Sequence, residues 1–336
     1  MTRLLAVLGS LAGFTVTANG YRPLAARGYP SLYAFGFGLF ASELPLQLLA
    51  GQSFTLAAVS RWLSPRVRRF GWLLSAVSWL GLLGLNHFGR TAKVPLTAAL
   101  EAGLGTRRRN GSDGVWKNEV WNRPGRPGVD AKVPGVARML RIYRDYAADA
   151  DIAYGECGSR NTLDVWRRPD LDRGDRAPVL LQVPGGAWMV GSKRGQAHPL
   201  MSHLVELGWV CVSINYRLSP RSTWPDHIVD VKRALAWTKN HISDYGGDPD
   251  SYVSTDAPPF LVLHGRNDSL VPVEQSRVFS ARLREVSKQP VVYAELPFAQ
   301  HAFDIFASAR ARQTAAAVEQ FLAEVYDPCR ISGDMP

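Results

Sequence analysis

Three long apolar runs fill the first ninety residues, and a different pattern replaces them after residue 150. Leu4–Tyr21 is 18 residues without a charge, Gly28–Ser60 is interrupted only by Glu43 beside Pro45, and Phe70–Gly89 gives twenty uncharged residues that include Trp72 and Trp79. A bilayer core takes about 20 apolar residues in helix. The pattern therefore predicts a membrane region of three spans over residues 1–90, the third run meeting that length outright. Leu4–Thr17 behind Arg3 also fits a signal peptide, with a small-residue site at Val16-Thr17-Ala18. The second run reads as one kinked span or as a re-entrant pair.

Residues 91–150 read as a connector. Gly, Pro, Asn and Arg crowd Arg107–Lys132, and only Val136–Ala147 has helical spacing, with Met139, Leu140, Ile142 and Tyr143 set among Arg and Asp. That helix fits against a soluble domain or a membrane surface equally well. Between residues 151 and 326 strands alternate with helices, and 327–336 form a tail. Ile152–Tyr154 and Thr162–Arg167 alternate as two antiparallel strands. Val179–Val183 and Trp209–Asn215 are Val-rich runs of the kind buried on both faces, with a helix expected between them over Gln196–Leu207. Asp226–Tyr245 is amphipathic, with Asp226 placed after Pro225 to cap it and Gly246-Gly247 to end it. Strands at Phe260–Leu263 and Val291–Leu296, and helices at Glu274–Ser287 and Ala309–Val325, complete an α/β reading.

The net charge of +10 changes this picture only in its distribution. Residues 1–110 hold twelve Lys and Arg against Glu43 and Glu101, so the whole excess is N-terminal and lies between uncharged runs. Membrane segments distribute charge in that way, whereas a nucleic-acid site gathers it on one folded face, so nucleic acid is excluded as a partner. Arg61, Arg66, Arg68 and Arg69 crowd the loop before the third run. They argue that this loop is cytoplasmic and that the later domain is extracytoplasmic, while Arg107-Arg108-Arg109 count against that orientation. Cys157, Cys211 and Cys329 are odd in number and widely spread, which reads as free thiols with no metal or cofactor signature.

The chemistry gathers at a few places. Pro184-Gly185-Gly186-Ala187-Trp188 closes the buried strand with a tight turn, and exposed N–H groups at such a turn can hold a developing negative charge. In order, the chain then carries Asn215-Tyr-Arg-Leu-Ser-Pro220, Gly246-Gly-Asp-Pro-Asp250, His264-Gly-Arg-Asn-Asp268 and Gln300-His301-Ala-Phe-Asp304. With Leu163-Asp-Val-Trp-Arg167 ahead of them, these motifs resemble the hormone-sensitive-lipase-like carboxylesterases of the α/β-hydrolase fold. The resemblance is greatest to the membrane-anchored Lip-type esterases of mycobacteria, and it covers residues 150–326.

It implies a mostly parallel sheet, an ester or lipid-like substrate and no cofactor. It also implies Asp268 as the acid that orients an imidazole, His301 as the general base, and Gly185, Gly186 and Ala187 as an oxyanion loop in which Pro184 replaces the usual His. Read from spacing alone, Asp268 is also a turn-capping residue and His301 a surface histidine.

One part of the pattern is missing. The family's nucleophile sits in Gly-x-Ser-x-Gly on a strand-to-helix turn, and this chain contains no such sequence. Gly191-Ser192-Lys-Arg-Gly195 sets its serine one place early. After Asp250 the chain passes through Ser251–Asp256 directly into Ala257-Pro-Pro-Phe260, where the family has a central strand, the nucleophile turn, its helix and a further strand. Ser251 and Ser254 lie in a Pro-flanked loop with no helix to present them, and Ser269 reads as a turn residue. The strands at Val179 and Phe260 are then expected either to close up and pair directly or to leave this half of the domain poorly formed. Three functional readings stay open: a carboxylic-ester hydrolase by family; a remnant without turnover that binds a partner or membrane or is the product of an internally deleted gene; or a membrane protein whose spans matter and whose soluble part anchors or scaffolds.

Overall fold

The computed structural model describes residues 2–105, 136–147, 149–250 and 258–325, with side chains from residue 7 onward. Arg107, Arg108, Arg109, Ser251, Ser254 and Cys329 lie outside the described residues. In chain order the elements are α1 (Thr2–Tyr21), α2 (Pro30–Glu43), α3 (Pro45–Ser60), α4 (Pro65–Arg90), α5 (Lys93–Leu104), α6 (Val136–Tyr146), β1 (Asp149–Ala153) and β2 (Thr162–Trp166). They continue as β3 (Val179–Gln182), α7 (His198–Glu206), β4 (Val210–Ile214), α8 (Asp226–His241), β5 (Phe260–Gly265), α9 (Val273–Val286), β6 (Val291–Leu296) and α10 (Ala309–Val325). They form two compact units, one of Met1–Thr106 with Pro259–Ala317, the other of Arg107–Pro258 with Val318–Pro336.

In the first unit, proline opens α2, α3 and α4, where its missing N–H costs nothing. The break expected at Pro45 is present: α2 and α3 meet at a bend of 96°. The seam among α1, α3 and α4 is polar at its centre, with Thr17 Oγ1 2.8 Å from Ser78 Oγ and Ser78 Oγ donating to Gln52 Oε1 at 2.9 Å. No single described helix is long and apolar enough to cross a membrane, although α2 and α3 qualify as one bent pair. The third run lies inside α4, where Arg66, Arg68, Arg69, Asn86, His87 and Arg90 shorten its apolar length.

In the stretch that reads as a connector, α5 occupies the first part. Its Leu96, Leu100 and Leu104 fall on one buried face. Gly103 lets it approach β6, because a Cβ there would lie 2.7 Å from Val292 Cγ2. β5 and β6 pair in parallel from Phe260–Val291 to Gly265–Leu296, with α9 as the crossover helix. Buried Glu43, at the end of α2, accepts from Ser308 Oγ at 2.7 Å and pairs with Arg310 at the start of α10.

The second unit carries a four-stranded sheet in the order β1-β2-β4-β3. Its first two pairings are antiparallel and only β3–β4 is parallel, which corrects the expectation of one mostly parallel sheet. Among the described residues β3 ends this sheet, while β5 belongs to the two-stranded sheet with β6. Just ahead of β3, Ala177 makes an isolated parallel bridge to Gly247. One face of the sheet packs Leu163, Val165, Val212 and Ile214 against Ala234 and Ile242, the other packs Trp166 and Cys211 against Met201 and Leu204. Asp226 does not cap α8. Pro225 occupies that position with no side-chain bond, and Asp226 instead pairs with Arg217 at 3.1 Å.

Candidate active site

Asp268 and His301 come together because they follow neighbouring parallel strands, at the carboxyl ends where such sheets place their sites. The two following loops are bonded along their length. The Arg266 amide donates to Leu296 O at 3.0 Å and the Asn267 amide to Ala299 O at 2.9 Å. Gly265 makes this approach possible, since a Cβ there would fall 2.5 Å from Ala299 O and 2.8 Å from Gln300 O.

Asp268 does both things its sequence allowed. Its Oδ1 accepts from the amides of Leu270 at 2.9 Å and Val271 at 2.8 Å, closing the turn. Its Oδ2 stands 2.7 Å from His301 Nδ1. Burial alone would raise the pKa of this carboxyl, but hydrogen bonds from His264, His301 and the Val271 amide outweigh it and hold Asp268 well below the usual carboxylate range. The carboxylate therefore fixes the His301 tautomer with its proton on Nδ1 and leaves Nε2 as the basic nitrogen. Side-chain exposure of 39% for His301 against 4% for Asp268 puts the base in the open and the acid behind it.

Sequence reasoning missed the residues around this pair. His264 lies four positions ahead of Asp268 in the same motif, and that spacing was the available signal. Its Nε2 is 3.0 Å from Val271 O and 3.3 Å from Asp268 Oδ2, and its Nδ1 is 2.7 Å from Ser276 Oγ. The bond to Asp268 raises the His264 pKa against the opposing effect of burial. Asn267 Nδ2 donates to Gly20 O at 3.0 Å and Tyr21 O at 2.8 Å, anchoring the acid loop on the end of α1. Phe35 of α2 meets the His301 ring edge-on, with centroids 6.0 Å apart. Ser269 is a buried turn residue as expected, its Oγ 3.3 Å from both Ser31 O and Gln300 Oε1. Among the described residues no group of His, Cys, Asp and Glu is placed to hold a metal ion.

The Gly185–Ala187 turn belongs to the other unit and follows β3. Gly186, Ala187 and Trp188 have φ of 137°, 51° and 62°. Two of these are non-glycine residues in left-handed conformation, a strain usually kept only where the surroundings enforce it. Tyr216 Oη holds Pro184 O at 2.8 Å, and the Ser219 amide holds Trp188 O at 2.8 Å. Beyond the turn, Lys193 is tied to buried Asp164 at 2.5 Å and to Asp151 at 2.7 Å. Within this turn the Gly185 amide donates to Gln196 Oε1 at 2.7 Å, while Gln196 Nε2 donates to Gly185 O at 3.1 Å. The amides of Gly186 and Ala187 have no acceptor among the described residues.

These features have counterparts in known proteins. The BD-FAE family matches residues 163–251 and 248–283, the two matches meeting at the place where the sequence departs from the esterase pattern. The chain is 49% identical over 409 aligned positions to the probable carboxylic ester hydrolase LipM of Mycobacterium tuberculosis, covering 95% of this chain and 94% of that protein. It is 37% identical to esterase LipQ of the same organism, covering 90% of this chain and 87% of that one. The LipM alignment is longer than the 336 residues of this chain, so that relative carries residues with no counterpart here. Among solved structures, the butyrate-bound esterase of Thermogutta terrifontis is 18% identical with a TM-score of 0.47, over 53% of this chain and 94% of that one. By its identity to LipM and LipQ over most of its length, the chain belongs to the Lip-type carboxylic ester hydrolases of the α/β-hydrolase superfamily.

Proposed function

We propose that this chain acts on carboxylic esters at the Nε2 face of His301, with short-chain or lipid acyl groups as substrates. The observation that carries the reading is the 2.7 Å approach of Asp268 Oδ2 to His301 Nδ1 in a member of an ester-hydrolase family. Because no Gly-x-Ser-x-Gly is present, the attacking oxygen in this reading is water. His301 Nε2 takes its proton as the oxygen bonds to the ester carbonyl, and returns that proton to the alkoxide that leaves. Asp268 stabilises the imidazolium formed between the two transfers. Such a path forms no acyl-enzyme and is slow. Hydrolases stripped of a triad member retain roughly 10³–10⁴-fold over the uncatalysed rate.

The test is hydrolysis of p-nitrophenyl butyrate by the full chain in detergent. Turnover that His301→Ala abolishes, with no labelling by a fluorophosphonate, supports the reading. Equal rates in both proteins sink it and leave a fold that binds without turning over.

We propose further that the N-terminal helices associate with a bilayer and that the α/β part is extracytoplasmic. Large apolar side chains left exposed there, among them Tyr33, Phe54, Trp72, Leu73 and Leu80, support this. So do the apolar bent pair α2–α3 and the arginines ahead of the third apolar run, Arg61, Arg66, Arg68 and Arg69. Release of the chain from membranes by an alkaline carbonate wash would overturn it.

A further inference from the structure

Gln300 lies between the acid and the base. It is 1% exposed, and its Oε1 accepts from the Ser269 amide at 2.7 Å and from the His301 amide at 2.9 Å. One side-chain oxygen thus joins the residue after the acid to the base itself, across two loops that the sequence separates by more than thirty positions. The rest of this side chain is seated on α2. A Cβ at Gly38 would lie 2.9 Å from Gln300 Nε2 and 3.0 Å from Asn19 Nδ2, so the amide group fits only against a bare Cα.

We propose that Gln300 is a positioning residue for the Asp268–His301 pair and that Gly38 is its seat. The inference rests on reading that pair as acid and base. Without the shared oxygen, the buried Ser269 amide and the part-buried His301 amide lose their acceptor. The loops then part or admit water, and the bond from His301 Nδ1 to Asp268 lengthens. α2 thereby helps to set the geometry of the pair, although it contributes no group that reacts.

The test reads the pair directly in the full chain in detergent. The first measurement is the far-downfield proton resonance of His301 Nδ1–H, assigned by its loss in His301→Gln. The second is the rate at which diethyl pyrocarbonate modifies His301, followed by peptide mass. Gln300→Leu should remove or broaden the resonance and change the rate by roughly fivefold, the effect of one buried hydrogen bond. Gln300→Glu, which keeps an accepting oxygen in place, should retain both. Gly38→Ala, which fills the seat without touching the bonding groups, should move both in the same direction as Gln300→Leu. Parental resonance and rate in folded Gln300→Leu, or in Gly38→Ala if the leucine variant does not fold, would overturn the proposal. So would equal losses in the Leu and Glu variants. Absence of the resonance from the parent chain counts instead against the acid–base reading, and ester turnover enters neither outcome.

Discussion

Glu43 of α2 and Arg310 of α10 form an ion pair in which neither side chain reaches solvent. Arg310 also donates to Pro297 O at 3.3 Å, on the loop that leads to His301. Removing one partner strands the other charge in a place water does not reach, which typically costs about 3–5 kcal/mol. Glu43→Ala and Arg310→Ala should each lower stability by that order in chemical denaturation. Glu43→Leu combined with Arg310→Met, which leaves no orphaned charge, should cost less than either. A double variant as unstable as the singles would contradict this account.

Gly265 is the contact point of the acid and base loops. Gly265→Ala drives a methyl group into the carbonyls of Ala299 and Gln300, which are backbone and cannot swing aside. A loss of about 1–3 kcal/mol is expected, measured as a lower melting temperature, together with loss of the His301 Nδ1 proton resonance. A fully stable alanine variant would show that the loops have more freedom than the structure gives them.

Stability should depend on pH in a way that identifies two groups. The folded state lowers the Asp268 pKa, so its contribution is present above the ordinary carboxylate value of about 3.9 and is lost as pH falls through the folded value. The folded state raises the His264 pKa, so its contribution is full below about 6.5 and is lost as pH rises through the folded value. The two overlap between roughly pH 4 and 6.5, where the melting temperature should peak. His264→Gln should flatten the decline on the alkaline side, and Asp268→Asn the decline on the acid side. Unchanged profiles would assign the dependence elsewhere.

Gln196 Oε1 accepts from the Gly185 amide at 2.7 Å. Gln196→Ala should speed hydrogen exchange at the Gly185 amide by roughly fivefold, the equivalent of one hydrogen bond of about 1 kcal/mol, with the sheet behind it unaffected. Exchange as slow as in the parent would mean that another group protects that amide.

Much of the fold was legible because its signals are local. β6 and α10 occupy the residues their apolar runs marked, and the α2–α3 break falls where Pro45 placed it. Asp268 and His301 were legible from motif order. What escaped depends on partners distant in sequence. Glu43 read as an interruption of an apolar run, yet its partner lies 267 residues away. Gln300 beside His301 carried no signal of its bond to Ser269. α5 was passed over because its three leucines form a short stripe just ahead of Arg107–Arg109, although the buried face of β6 needed covering. The sheets departed from expectation because strand order depends on the whole set of strands, and a missing member changes the neighbours of those that remain.

The couple formed by Asp268 and His301 is built entirely within the contiguous stretch from β5 through α9 and β6 to the loop beyond. A genetic excision that spares this stretch and the α1 and α2 helices it rests on can discard other catalytic parts while the pair still assembles with its hydrogen bond in place. Its presence in a relative is therefore a mark of ancestry rather than a certificate of turnover.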